Sequence, residues 1–91
     1  VYGTRIDRTS DEGSLGKRLF VETASPPCGV CHSLEAASTK GVIGPDLDAL
    51  KPDARRIRTA VAQGVGAMPA YADQLTDREV TALVDFITLS Q

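Results

Sequence analysis

The chain has 91 residues, enough for one small domain. Its composition, 42% hydrophobic and 24% charged with a net charge of −2, excludes a disordered polymer, and no basic surplus is available for nucleic acid. No apolar run approaches the roughly 18–20 residues of a membrane-spanning helix. Aromatic bulk is thin, with two Tyr, two Phe and no Trp. Domains of this size usually add disulfides, a metal or another filler. With only two cysteines, Cys28 and Cys31, no disulfide framework is available, and the composition asks for a core component that is not protein.

Residues 1–13 mix charges with two glycines and show no periodicity, which predicts an irregular arm ahead of a domain over 14–91. The chain begins at Val1 without a basic-then-apolar leader, so it is either the mature product of export or a segment without its leader, and export has to be read from the chemistry of the cysteine pair. Ser14 is the expected N-cap of a first helix over about 15–23, with Leu15 and Leu19 on one face and Phe20 beside them. Pro26-Pro27 stops it, because the residue before a proline avoids the helical region. Residues 33–50 read as a loop with at most a short turn near 34–37. Pro52 reads as a first-turn residue of a second helix, whose apolar face is Ala54, Ile57, Ala60, Val61 and Val65. Gly64 and Gly66 end it, and Ala67–Tyr71 forms another loop. The last helix is the clearest: Thr76 and Glu79 make a capping box, and Val80, Leu83, Val84 and Ile87 form an apolar stripe. No segment alternates as a strand does. Three main helices and long loops suit loops wrapped around something.

Cys28-Gly29-Val30-Cys31-His32 carries the chemistry. Two thiols three positions apart suit addition to the two vinyl groups of a haem, and the histidine that follows is placed to ligate its iron. The bland readings are a thiol-disulfide pair, a zinc site and a local disulfide. A redox C-x-x-C pair belongs to a β-α-β pattern that is absent here, and zinc would need a fourth, carboxylate ligand. His32 is the only histidine and Met68 the only methionine. A lone Met is more often a core filler. Met68 instead sits in a glycine-flanked loop just before Pro69, so it is the candidate second axial ligand, with Lys17, Lys40, Lys51 or an open position as rivals. The Pro45 carbonyl is a candidate acceptor for the second imidazole N–H, against the plain reading of Gly44-Pro45-Asp46 as a turn.

With these motifs in order, the sequence resembles a class I c-type cytochrome over residues 14–90. Gly16 and Phe20 resemble the family's small and aromatic pair of the first helix. Cys28, Cys31 and His32 resemble its attachment motif, and Gly44-Pro45-Asp46-Leu47 its proximal loop. Met68-Pro69 resembles the distal motif, and Leu83 with Phe86 the pair of the last helix. The resemblance implies an all-α cytochrome c fold around one covalently bound haem c. It also implies a pocket including Phe20, Pro45, Leu47, Pro69, Tyr71 and Leu83. Residues 41–52 and 64–71 are similar to small monohaem cytochromes that serve molybdenum sulfite dehydrogenases. One departure is visible: Phe20 to Cys28 is longer than the family's common spacing by about one helical turn.

A haem with both axial positions filled transfers one electron and offers no site for substrate at iron. The expectation is therefore a non-enzymatic carrier or dehydrogenase subunit. Redox partner proteins would meet it at an exposed haem edge near Gly29, Val30 and residues 66–70. Arg55, Arg56, Arg58 and Tyr71 are candidate partners of the haem propionates. Residues 51–58 hold four bases and one acid, and 73–91 four acids and one base, either two solvated faces or a dipole that orients a partner. Thioether attachment is made outside the cytosolic membrane, which points to the periplasm. The competing readings are a five-coordinate haem sensor or enzyme and a haem-free thiol-disulfide module.

Overall fold

A computed structural model describes residues 13–90. The expected arm thus lies outside the described residues, except that Gly13 already belongs to the first helix. Helix α1 spans Gly13–Arg18 and runs on as a π-helical stretch, Leu19–Thr23. Ser14 is therefore inside the helix and not its cap. The helix ends where Ala24 turns extended (ψ 149°), ahead of Pro26 as the proline pair predicts. The wider π turn and the link over 24–27 occupy the stretch that is longer than the family spacing.

A 3₁₀ turn, Cys28–Val30, leads to a two-residue strand β1, Ser33–Leu34, which pairs antiparallel with β2, Thr39–Lys40. A 3₁₀ turn at Glu35–Ala37 joins them, and Ser38 takes a left-handed conformation (φ 57°). The hairpin is too short to leave an alternating trace. It is held by Thr39, whose hydroxyl donates to the His32 carbonyl at 3.0 Å and accepts from Leu34 N–H at 3.1 Å.

The loop expected over 33–50 contains a further helix, α2, Leu47–Leu50, capped by Asp46, which accepts from Asp48 N–H at 2.9 Å. Its single turn is below the length at which periodicity registers. Helix α3 spans Ala54–Gln63. Its N-cap is Asp53, which accepts from Arg56 N–H at 2.8 Å, so Pro52 precedes the helix rather than opening its first turn. Helix α4, Asp77–Leu89, begins at the Thr76–Glu79 capping box with both reciprocal hydrogen bonds formed.

Helix α1 crosses α4 at Gly16, where an added Cβ would meet the Ala82 carbonyl and stand 2.6 Å from Phe86 Cβ. Close approach at the glycine brings Phe20 and Phe86 edge to face, with ring centroids 6.0 Å apart. Phe20, Leu19, Leu34 and Leu83 are the largest fully buried side chains. Helix α3 joins α4 through Arg58, which donates to Thr81 Oγ1 at 2.9 Å and pairs with Asp77 at 3.7 Å. The loops over 25–46 and 64–75 connect these helices. Among the described residues no helix is long and apolar enough to cross a membrane.

Candidate functional site

Those loops and helix α3 line a cavity of about 670 Å³, within the size range of pockets that hold drug-sized organic molecules, roughly 300–1,000 Å³. Cys28, Cys31, His32 and Met68 all reach it. No pattern of burial by protein side chains fills it, which answers the shortage of bulk seen in the composition.

The proximal side is built by short-range bonds. The Cys28 carbonyl accepts from Cys31 N–H at 3.2 Å and from His32 N–H at 3.0 Å, coiling the motif so that both sulfurs and the imidazole face one cavity. Gly44 N–H donates to the Cys31 carbonyl at 2.7 Å and brings the next loop alongside. Gly44 then lies flat against the imidazole: a Cβ there would stand 2.8 Å from His32 Nδ1 and 3.0 Å from Nε2. His32 Nδ1 is 2.8 Å from the Pro45 carbonyl oxygen. A carbonyl only accepts, so Nδ1 carries the proton and Nε2 keeps a lone pair free for a metal. The pair has the form of the outer hydrogen bond that orients a ligating histidine.

On the distal side, Val65 and Met68 close a tight turn by two reciprocal bonds, Met68 N–H to Val65 O at 2.8 Å and Val65 N–H to Met68 O at 3.1 Å. Gly64 enters it at φ 77°. An added Cβ at Gly64 would stand 2.7 Å from the Met68 carbonyl oxygen. The turn explains why Met68 reaches the cavity from a loop and not from the stripe of a helix.

Neither cysteine is in a disulfide. Burial pushes the Cys28 thiol up to about 11, with the neighbouring Cys31 adding to the shift and a backbone hydrogen bond opposing it. A thiol held neutral in this way is the reverse of the activated thiolate that an exchange catalyst needs, which weighs against a thiol-disulfide module. The donor set fits a haem: two reduced thiols, one imidazole nitrogen with its lone pair free, one thioether, and apolar walls around a space that nothing in the chain fills.

Of the other pocket residues expected from sequence, Phe20, Pro45, Leu47, Pro69 and Tyr71 line the cavity, as do Arg55 and Arg56. Two do not. Leu83 is 1% exposed among the core side chains and contributes nothing to the cavity wall. Arg58 turns toward α4, where Thr81 and Asp77 take its guanidinium, and it is not part of the cavity wall. Tyr71 lines the cavity, but its hydroxyl donates to the Pro26 carbonyl at 2.6 Å and is not free to donate to a propionate. Burial pushes that phenol up to about 12, with the two cysteines adding to the shift. Ile43, Leu50 and Val65 are lining residues that sequence reasoning missed. Two of these carried a usable signal: Ile43 and Val65 are large apolar residues in glycine-bounded loops, where solvation alone would favour polar ones.

Four helices among the described residues, long loops and a thiol–imidazole–thioether pocket define a small c-type cytochrome. Residues 12–87 match the family model described as cytochrome c oxidase, cbb3-type, subunit III, and the chain belongs to that family. Cytochrome c-551 of Halorhodospira halochloris is 30% identical over 73 residues, which cover 79% of this chain and 92% of that protein. The crystal structure of the c-type cytochrome SorU from Sinorhizobium meliloti matches with a TM-score of 0.84 at 44% identity, covering 88% of this chain and 91% of that one. The protein is thus a class I c-type cytochrome with covalently bound haem c, and it transfers electrons.

Proposed function

We propose that the chain is a periplasmic one-electron carrier, or the cytochrome partner of a dehydrogenase, in which Cys28 and Cys31 hold the haem through thioethers. His32 Nε2 and Met68 Sδ would be the two axial ligands of its iron. One observation carries the reading: the chain's only two cysteines, only histidine and only methionine, spread over 41 positions, all reach one cavity (28 to 68, counted inclusively). The bound group supplies a ferric–ferrous couple. The residues do the rest. Pro45 fixes the imidazole, the Val65–Met68 turn presents a thioether, which favours the ferrous state, and the apolar wall disfavours the extra charge of the ferric state.

Docking would use the cavity rim. Val30 is 57% exposed, Val42 88%, Ile43 74% and Val65 62%, and Ile43 and Val65 also line the cavity. An apolar rim suits a small, short-lived contact with a redox protein. A sulfite dehydrogenase is the proposed donor, on the similarity of residues 41–52 and 64–71 to cytochromes serving such enzymes. Periplasmic residence follows from the chemistry of thioether attachment, which needs two thiols kept reduced until haem arrives.

Spectra of oxidised and reduced protein test the ligation. The native ferric form should show the weak far-red band of an iron–thioether bond, and its ferrous form should ignore carbon monoxide. Met68→Ala should lose the band, bind carbon monoxide and have a lower potential. A native ferrous form that binds carbon monoxide at once would instead establish the five-coordinate sensor or enzyme.

A further inference from the structure

Three hydrogen bonds tie the segment before Cys28 to the segment after Met68. The Tyr71 hydroxyl donates to the Pro26 carbonyl at 2.6 Å. Gln74 holds both polar atoms of the Ser25 backbone, its Oε1 accepting from Ser25 N–H at 2.9 Å and its Nε2 donating to the Ser25 carbonyl at 2.8 Å. Tyr71 and Gln74 can act together because a helical turn places them on one side: Gln74 N–H and Leu75 N–H each donate to the Tyr71 carbonyl at 3.0 Å. Tyr71 N–H is in turn held by the Val61 carbonyl at 2.7 Å, near the end of α3.

The hydrogen bonds of Met68 itself close only its own turn. Val65, Ala67 and Pro69 face the cavity and Gly66 and Ala70 face solvent, so apart from the haem itself little packing within the chain retains the loop. Its anchors within the chain lie at its two ends. At one end Gly64 N–H bonds to Ala60 on α3 at 2.7 Å, and at the other stand Tyr71 and Gln74. A planar amide bonded to both the N–H and the C=O of one residue imitates a strand pair, and it must break twice before the loop can swing away from residues 25–28.

We infer that Gln74, together with Tyr71, is a positioning residue that clasps the Met68 loop shut and so keeps outside ligands from the iron. This rests on the His32/Met68 reading. The clasp makes the difference between a sixth position that is filled and one that stays filled, which an electron carrier needs and a gas-binding haem protein does not.

The test is stopped-flow binding of imidazole to the ferric holo-cytochrome. Gln74→Met keeps the side-chain length and removes both hydrogen bonds. Arg58→Met serves as the control, because it removes contacts between α3 and α4 and does not touch the loop. Gln74→Met should bind imidazole about tenfold faster than the native protein while keeping its far-red thioether band, and Arg58→Met should bind at the native rate even if it melts lower. Tyr71→Phe, which loses only the hydroxyl bond, should shift the rate in the same direction and gives the reading if Gln74→Met fails to mature. Native rates in both Gln74→Met and Tyr71→Phe, or an equal acceleration in Arg58→Met, would overturn the inference while leaving Met68 ligation intact. A native protein without the thioether band would overturn the ligation reading, and the clasp with it.

Discussion

Gly44 lies so close beneath the His32 ring that no side chain fits between them: a Cβ would stand 2.8 Å from Nδ1. The same ring is fixed from its edge by the Pro45 carbonyl at 2.8 Å. Two consecutive residues therefore set both the plane and the tautomer of the imidazole, one by absence of bulk and one by an acceptor. Gly44→Ala should push the ring out of place. Its cost should be about 1–3 kcal/mol in a denaturant titration, as for other overpacked sites, together with a lower yield of haem-loaded protein. An unchanged midpoint and yield would show that the ring is not confined there.

Gly16 allows a sharper contest between local and tertiary effects. By intrinsic propensity, Gly16→Ala should stabilise helix α1 by about 1 kcal/mol. The Ala82 carbonyl and Phe86 occupy the place of the new Cβ, however. Separating α1 from α4 should dominate, with a net loss of about 1–3 kcal/mol in thermal or denaturant unfolding. A gain in stability would mean that the crossing is loose.

The cavity wall is largely apolar, and a domain of this size has little other apolar surface to bury, so its stability depends on the group that covers that wall. A Cys28→Ala/Cys31→Ala chain made without haem should therefore lack cooperative unfolding, as read by far-ultraviolet circular dichroism during a melt. A sharp thermal transition in that chain would mean that the protein core suffices.

Docking through an apolar rim differs from steering by charge. The basic face of α3 and the acidic face of α4 already meet in the Arg58–Asp77 pair, which reduces any dipole between them. Electron transfer with the physiological partner should change by less than about threefold between low and moderate salt. Val42→Asp should slow it about tenfold without moving the reduction potential, since Val42 is 88% exposed and is not part of the cavity wall. A steep salt dependence, with Val42→Asp neutral, would favour the dipole instead.

What could be read from the residues was whatever chemistry or periodicity writes locally. The capping box at Thr76–Glu79, the apolar stripe of α4 and the Cys28–His32 motif are all complete within a few positions. The His32–Pro45 bond was within reach because proline keeps a free carbonyl at a plausible distance along the chain. The π turn at Leu19–Thr23, the single turn of α2 and the two-residue strands are too short for any period to show. Arg58 is grouped with Arg55 and Arg56 as a candidate propionate partner in the sequence, but its partner Thr81 belongs to another helix. Tyr71 and Gln74 find partners 45 and 49 positions away, and nothing in the local pattern of either residue announces such a contact.

The most direct test is the mass of the purified native protein, followed by that of the peptide containing Cys28 and Cys31. The account predicts the polypeptide mass plus one haem, with the addition retained on that peptide after denaturation. A bare polypeptide mass, or a haem that denaturation strips away, would contradict it.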